Sequence, residues 1–233
     1  MLPIKISEAA RAYETIKTGG LAIVPTRIGY ILAGNTEQAM RKKFELKHRP
    51  ISKPAVVITD YSNLFRITDI PFEYHSIVSA VQEQNLLCGF ILHRRESEFS
   101  MIDDYTNKVS KLEDDTSCFA INHGHYSEYL VARATADRTL ISASSANRCG
   151  VGNKGRFKNI GNDIINGADF AIEDDEYVAQ RYELDCGERG TIMSLVRDKP
   201  VIIRKGLNSP LIEDILMQLC GTKGYDIRHG EYP

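Results

Sequence analysis

The sequence predicts a mixed α/β fold, with one β-sheet and helices packed against it. Short apolar runs typical of buried strands alternate along the chain with segments in which apolar residues recur every three or four positions. The 233 residues are enough to bury about 70% of the unfolded surface without disulfides, and no internal repeat divides them. We therefore expect a single domain over residues 1–220 and a polar, loosely ordered tail over residues 221–233.

Helices are predicted where the spacing of apolar residues is helical. The second helix should end near Lys47, because Pro50 disfavours helical geometry at Arg49. The pair Ser209-Pro210 is typical of a capped helix with proline in its first turn. The helices are expected to begin at Ser7 and at Asn35 or Thr36, to cover residues 73–84 and 127–134, to surround residues 160–165, and to follow Ser209.

Strands are predicted at the short apolar runs between these helices. They are LAIVP (21–25), PAVVIT (54–59), FILH (90–93), SCFAI (117–121), TLISA (139–143), TIMSLV (191–196) and PVIIR (200–204). In contrast, residues 97–117 are polar and poorly periodic, so we expect a long surface excursion there.

Composition excludes several classes of protein. Lys and Arg number 29 and Asp and Glu 31, so a net charge of −2 provides no global basic field for indiscriminate nucleic-acid binding. No apolar run approaches the ~20 residues of a membrane helix, and the first residues lack the apolar core of a signal peptide. The 5 cysteines are odd in number and form no CxxC pair, which favours reduced thiols in a cytoplasmic protein.

The first candidate site is the run Lys47-His48-Arg49-Pro50. Lys47 and Arg49 share a face if the chain is extended there, which Pro50 favours. Two cations on one face at a helix end suit an anion such as a phosphate or a carboxylate. The alternative interpretation is a solvated basic helix end, because cations near a helix C-terminus also complement its dipole.

The second candidate site is the run ISASSANRCGVGNKGRF (141–157). An apolar strand leads into small hydroxyl residues, an asparagine and three glycines, which let backbone N–H groups approach a phosphate closely. Ser145 and Asn147 alternate with Ala146, so their side chains are expected on one side. The run lacks the ending of a Walker loop, and an ordinary strand-to-loop connection is the alternative.

Three further signals are weaker. Thr26 and Tyr30 follow the first strand, at the kind of strand end where open α/β sheets place ligands; a plain turn is the alternative. Arg204 stands before Gly206 at another strand end and is a possible phosphate contact. The His123-Gly124-His125 run lacks a fourth ligand in sequence, so we expect no metal held by protein side chains.

Together these runs follow the order and spacing of a known family. The matching runs are PTRIGYIL (25–32), KHRPISKPAVV (47–57), SSANRCG (144–150), GTIMSL (190–195) and RKG (204–206). The sequence resembles the YrdC/Sua5 family, the threonylcarbamoyl-AMP synthases, over about residues 7 to 217. The combination of KxR and SxN at this separation is the most specific part of the resemblance.

The resemblance implies a twisted mixed β-sheet flanked by helices around a concave basic cavity. It implies a nucleotidyltransferase that binds ATP, L-threonine and bicarbonate, with Mg²⁺ carried by the nucleotide. The product, threonylcarbamoyl-adenylate, would serve t6A modification at position 37 of tRNA in the cytoplasm. The implied partners beyond the substrates are tRNA or tRNA-modification proteins.

The resemblance also assigns residues to roles. Lys47 and Arg49 would be catalytic and would form an anion-binding tetrad with Ser145 and Asn147. The remaining implied substrate and nucleotide contacts are Thr26 and Tyr30 in the amino-acid and adenylate pocket, and Thr191 and Arg204 on the nucleotide side.

Several positions depart from the family pattern. Ile28 replaces a threonine, Asn122 an arginine expected to face the triphosphate, and Gly190 a serine. Arg27 or Arg148 would replace the lost arginine from another direction. Two alternatives therefore stay open: a paralogue that forms or uses carbamoyl-AMP with another acceptor, and a nucleotide- or RNA-binding module without turnover. The basic run 41–49 is the candidate RNA contact for the second.

Overall fold

A computed structural model describes residues 4–150, 155–180, 189–222 and 224–228. The strands of these residues are β1 (Ala22–Thr26), β2 (Gly29–Gly34), β3 (Val56–Ile58), β4 (Thr68–Asp69), β5 (Cys88–Arg94), β6 (Thr116–Ile121), β7 (Ile141–Ser145), β8 (Phe170–Ala171), β9 (Thr191–Ser194), β10 (Val201–Arg204) and β11 (Asp226–Ile227). The helices are α1 (Ile6–Lys17), α2 (Glu37–Leu46), α3 (Tyr61–Ile67), α4 (His75–Glu83), α5 (Asp104–Ser110), α6 (His125–Ala136), α7 (Asn162–Gly167), α8 (Asp175–Ala179) and α9 (Ser209–Cys220).

The strands form one mixed sheet, which confirms the predicted fold class. Their order is β11-β10-β9-β5-β6-β3-β7-β2-β1-β8, and β4 pairs with β5 outside this path. The pairs β10/β11, β5/β9, β3/β6 and β1/β8 are parallel and the other pairs antiparallel. Among the helices described, none is long and apolar enough to cross a membrane.

The alternation of side chains along β5 and β6 separates the two faces at the centre of the sheet. Phe90 and Phe119 lie in a buried cluster with Ile77 of α4 and Ile212 of α9. Their neighbours in the ladder, the paired Gly89 and Ala120, point to the opposite face, because side chains of a strand alternate. One face of the central strands therefore packs on helices, and the other lines a cavity.

Two further clusters cover β1 and β2. Tyr13 of α1 and Leu130 of α6 pack with Val24 and Ile31 on one face. Tyr30, next to Ile31 in β2, lies in the cluster on the opposite face. This alternation decides which residues of β2 can reach the cavity.

The start of α2 follows the prediction, and the starts of α1 and α9 differ from it. Thr36 caps α2 by accepting a hydrogen bond from the Ala39 N–H at 3.3 Å. Helix α1 begins before Ser7, at Ile6. Ser209 does not cap α9, because its hydroxyl bonds the Gly206 backbone instead and Asn208 occupies the cap position.

Two predicted irregular regions contain regular structure. Residues 97–117 include α5, which buries Val109 and is capped by the Asp103 carboxylate through the Thr106 N–H at 2.7 Å. The predicted loose tail is wrong at residues 226–227, which form β11. The Asp226 and Arg228 N–H groups donate to the Pro200 and Ile202 carbonyls at the edge of β10. Unpaired backbone groups at a sheet edge favour such a further strand. Residues 229–233 lie outside the described residues.

Candidate functional site

The cavity lies on the face of the sheet opposite the helices α3, α4 and α9. Its floor comes from β9, β5, β6, β3 and β7, through Ile192, Gly89, Cys118, Ala120, Val56 and Ala143. Gly89 keeps the floor open, because a Cβ there would approach the Cys118 sulfur to 3.1 Å and Ile192 to 3.3 Å. The two ends of this floor differ in chemistry. We call them the cationic corner (Lys47, Arg49, Lys53, Ser144, Ser145, Asn147, Cys149) and the Gly190 end (Ile28, Leu87, His123, Arg189, Gly190, Thr191, Arg204).

Lys47 is placed at the cationic corner by the end of α2. It is the C-cap residue, with φ −89° and ψ −4°, and His48 follows with a left-handed φ of 47°. The expected extended geometry is therefore wrong, and a tight turn brings Lys47 and Arg49 to the same cavity. Lys47 is only 1% exposed, which also rules out a solvated helix end. Its Nζ donates to Ser144 Oγ at 2.9 Å and to the Ser145 carbonyl oxygen.

A second buried lysine lies one helical turn before Lys47. Lys43 donates from Nζ to the Ser142 carbonyl at 3.2 Å and does not line the cavity. Burial first, and then Lys47 and Arg49, lower the pKa of Lys43 well below its usual value. Burial and then Arg49 lower the pKa of Lys47 to about 7. Within the described part of the chain, neither lysine forms an ion pair with a carboxylate.

Arg49 organises the loop that follows. It donates from Nε to the Lys53 carbonyl and from Nη2 to the Pro54 carbonyl, both at 2.7 Å. The loop returns Lys53 to the cavity, with its Nζ 3.8 Å from the Cys149 sulfur. Three basic side chains thus surround one corner.

The loop after β7 forms the other wall of the cationic corner. Asn147 donates from Nδ2 to the Arg148 carbonyl at 2.8 Å, while its buried Oδ1 has no hydrogen-bond partner among the described residues. The Cys149 N–H donates to the Lys47 carbonyl at 3.1 Å, which ties this loop to the end of α2. The structure therefore brings all four residues of the expected tetrad to one cavity. Ser145 faces Lys47 through its carbonyl, and the hydroxyl that Lys47 reaches belongs to Ser144.

Thr191 and Arg204 lie at the Gly190 end, across the floor. The Thr191 hydroxyl bonds the Leu207 carbonyl at 2.8 Å and the Ser209 hydroxyl at 3.0 Å, so the fold already uses it. Arg204 donates from Nε to the Gly190 carbonyl at 3.0 Å. Arg189, which sequence reasoning did not select, is exposed and lines the same end.

The structure does not place Thr26 and Tyr30 among the residues that line the cavity. Thr26 is buried in the turn between β1 and β2, where its hydroxyl donates to the Gly29 carbonyl at 2.9 Å. Tyr30 points to the opposite face of the sheet and donates to Asp175 Oδ1 at 2.7 Å. Burial, and then the hydrogen bond to Asp175, raise the pKa of Tyr30.

The expected replacement for the family's arginine is also absent from the cavity. Arg27 is directed to Asn85, whose carbonyl and Oδ1 accept its Nη groups at 2.7 and 2.9 Å. Arg148 instead pairs with Asp163 on the surface at 2.7 Å. Neither side chain therefore takes the place of the family's arginine. Asn122, which stands at the position of that arginine, donates to the Leu86 carbonyl at 2.9 Å.

His123, next to Asn122, lines the cavity at this place. Burial, and then the nearby Arg27, lower its pKa to about 4, so the imidazole is neutral at neutral pH. Its Nδ1 is buried and has no partner among the described residues. The sequence showed the His123-Gly124-His125 run only as a weak metal motif, and the described residues contain no cluster of three potential metal ligands.

The fold and the cavity define a mixed α/β protein with a cavity, lined at one corner by basic side chains, on the face of its sheet opposite α3, α4 and α9. The Sua5_yciO_yrdC family, described as "Telomere recombination", matches residues 14–206. The chain belongs to this family, as the resemblance of the motifs predicted. A comparison with curated proteins gives no match.

Solved structures support the same fold. The hypothetical protein smu.1377c from Streptococcus mutans is 26% identical, with a TM-score of 0.85 over 95% of this chain and 94% of its own. P. abyssi Sua5 complexed with L-threonine is 19% identical, with a TM-score of 0.69 over 97% of this chain and 61% of its own. E. coli YciO is 17% identical, with a TM-score of 0.66 over 90% and 94% of the two chains. The chain thus spans about 61% of the Sua5 structure.

Proposed function

We propose that this protein is an adenylate-forming nucleotidyltransferase that makes threonylcarbamoyl-AMP and pyrophosphate from L-threonine, bicarbonate and ATP. The product would serve t6A modification of tRNA in the cytoplasm, with tRNA or tRNA-modification proteins as partners. Membership of the family and the P. abyssi Sua5 structure with L-threonine support the reaction class. The observation that carries the proposal is the cationic corner.

The charges of the cationic corner call for an anion. Lys47 is buried against neutral oxygen atoms, and Arg49 and Lys53 line the same corner. Burying a cation without a counter-charge is costly, and charge-assisted hydrogen bonds to phosphate oxygens compensate that cost. A triphosphate supplies several such oxygens to one corner.

The same groups fit the bond changes of adenylation. The carboxylate oxygen of the N-carboxylated amino acid forms a bond to the α-phosphorus, the bond from this phosphorus to the bridging oxygen breaks, and pyrophosphate leaves with the electron pair. Lys47 and Arg49, held by the end of α2 and its loop, are fixed donors for the charge that builds on the phosphates. Mg²⁺ carried by the nucleotide would neutralise phosphate charge.

Pyrophosphate release tests the proposal. Wild-type protein with ATP, Mg²⁺ and bicarbonate should release pyrophosphate only when L-threonine is added. Lys47→Ala should lower this rate by at least about 100-fold, the loss expected for a buried charged donor. Lys42→Ala is the matched control, because Lys42 lies on the same helix but pairs with Asp169 outside the cavity. Equal rates with and without threonine, or a wild-type rate in Lys47→Ala, contradict the proposal.

The Gly190 end favours a second candidate, a related synthase with a different acceptor. A Cβ added to Gly190 would lie 3.7 Å from Ile28 Cδ1 and 3.6 Å from Leu87 Cδ2, so two apolar side chains cover this backbone. The hydroxyls of Thr26 and Thr191 are bonded to the fold. The Thr191 hydroxyl is therefore already occupied, and the polar side chains left to meet a substrate hydroxyl at this end are those of His123, Arg189 and Arg204. L-valine, the isostere of threonine, is the diagnostic acceptor, and valine-dependent pyrophosphate release would favour this candidate.

The RNA-binding alternative keeps only part of its proposed basic face. Lys43 and Lys47 of the 41–49 run are buried, at 0% and 1% exposure. Arg41 pairs with Glu37 and lies 4.0 Å from the ring centre of Tyr105. The side chains of Arg41 and Lys42 remain partly exposed, so two cations of the run stay on the surface.

A further inference from the structure

The cationic corner contains a buried amine whose charge has no fixed partner. Lys47 Nζ donates to the Ser144 hydroxyl and the Ser145 carbonyl, and neither oxygen is charged. Among the described residues, no acidic side chain forms an ion pair with it. At 1% exposure, solvent does not take the place of a counter-charge.

The titratable groups around Lys47 are mostly cations. Lys43 lies behind it on α2, Arg49 and Lys53 come from the following loop, and Cys149 comes from the loop after β7. Only the Cys149 thiol gains a negative charge when it titrates. Burial and Arg49 together bring the pKa of Lys47 to about 7, and Cys149 acts in the opposite direction.

We propose that binding at the cationic corner is proton-linked: the buried Lys47 amine, which bonds only neutral oxygens among the described residues, takes up a proton when a phosphate-bearing ligand enters. The inference rests on the anion-binding half of the proposed function. A phosphate near the amine supplies the missing counter-charge and favours the ammonium form. Lys47 carries this linkage rather than Lys43, because Lys47 lines the cavity and Lys43 does not.

The proton balance is simple. The proton is taken from the solvent when the phosphates bind and returns to it when pyrophosphate leaves. The linkage therefore changes the affinity for ligands with pH and leaves the stoichiometry of the reaction unaltered.

The test measures the affinity for inorganic pyrophosphate between about pH 6 and 9. Lys47→Arg is the informative variant, because an arginine stays charged throughout this range. Pyrophosphate takes up protons itself, but this contribution cancels in the ratio of the wild-type affinity to that of the variant. The ratio should fall by about tenfold per pH unit above about pH 7, as expected for one linked proton.

Two control variants test which group carries the proton. Cys149→Ser removes the thiol of the corner, and Lys43→Met removes the buried amine behind it; both should keep the wild-type slope. Loss of the slope in either control, or the same slope in wild type and Lys47→Arg, overturns the inference. If no pyrophosphate binds to the wild type at any pH, both the inference and the proposed anion site fail. If pyrophosphate binds with the same slope in wild type and Lys47→Arg, only the inference fails.

A second measurement avoids dependence on the arginine variant. Lysine Cε resonances of ¹³C-labelled wild-type protein should include one that titrates near pH 7 and disappears in Lys47→Met. Added pyrophosphate should move this titration upward by at least about one pH unit, since an anion stabilises the charged amine. A resonance that titrates only near the usual lysine value overturns the inference.

Discussion

The two ends of the cavity differ in how they are built. At the cationic corner, the buried Asn147 Oδ1 has no hydrogen-bond partner among the described residues, and the Lys47 amine bonds only neutral oxygens. At the Gly190 end, the Thr191 hydroxyl is bonded to the fold, and Ile28 and Leu87 close over the glycine. One end thus combines three cations with neutral oxygens, and the other sets an apolar wall beside Arg189, Arg204 and His123. On the proposed function, the phosphates would bind at the cationic corner and the apolar wall would select the acceptor.

After the loss of Lys47, removal of Arg49, the second cation of the corner, should have the largest effect. Arg49→Met is expected to lower pyrophosphate release by about 10–150-fold, because a charge-assisted hydrogen bond is typically worth about 1.5–3 kcal/mol. Steady-state kinetics with ATP as the varied substrate measure it. Arg49→Lys keeps the charge but loses the bonds to the Lys53 and Pro54 carbonyls, and so separates the charge from the loop. An unchanged rate in Arg49→Met would remove this residue from the site.

The buried amine of Lys43, behind the cationic corner, should lower the stability of the native state. Lys43→Met is expected to stabilise the native state by about 1–3 kcal/mol near pH 7, as is typical when an apolar residue of similar volume replaces a buried charge. Urea unfolding measures this difference. A destabilised variant would show that the bond from Lys43 to the Ser142 carbonyl matters more than the buried charge.

The same unfolding experiment has a pH dependence with a defined sign. The native chain holds the pKa of Lys47 at about 7 and that of Lys43 below its usual value. Between these pKa values and the ordinary ~10.4 of an unfolded lysine, the unfolded chain binds more protons than the native chain. Lys43 and Lys47 should therefore make the free energy of unfolding rise with pH across this window. The rise should be smaller in Lys43→Met than in the wild type. An equal rise in both proteins would contradict the low pKa of Lys43.

Changing the Gly190 end should alter the acceptor rather than the anion. Ile28→Thr introduces a hydroxyl into the apolar wall, and is expected to change the preference for threonine over valine by about tenfold, the scale of one polar contact. Relative kcat/KM values for the two amino acids measure it, and the affinity for pyrophosphate is the control that should stay constant. A change in pyrophosphate affinity with no change in preference would place Ile28 at the anion site instead.

The sequence predicted the sheet and most helices, because these follow from local patterns, and the family resemblance selected four residues that the structure brings to one cavity. Strand runs, the Thr36 cap and the KxR and SxN motifs are all visible in a few consecutive residues. The sequence could not show which face of β2 meets the cavity, since this depends on the strands and helices on either side. Tyr30 and Ile31 are neighbours, yet only Ile31 lines the cavity.

The residues that were missed depend on tertiary burial. Lys43 stands in a polar-looking run, and only the packing of α2 shows that it is buried. Its spacing of one helical turn from Lys47 was the available signal. Arg189 lies outside the motifs of the sequence, and His123 stood out there only as part of a weak metal motif; both reach the cavity through the pairing of β5 with β6 and β9.

The smallest expected effect on catalysis is that of Thr26, which lies outside the cavity. Its hydroxyl donates to the Gly29 carbonyl and accepts from the Ile28 N–H at 3.2 Å, so it closes the turn between β1 and β2. Thr26→Val should lower the free energy of unfolding by about 1–3 kcal/mol, because it removes the buried hydroxyl that bonds the Gly29 carbonyl and the Ile28 N–H. The KM values for ATP and for the acceptor should change by less than about twofold, as measured by the same pyrophosphate assay. A large rise in the acceptor KM with unchanged stability would instead mean that Thr26 reaches the substrate when the cavity is filled.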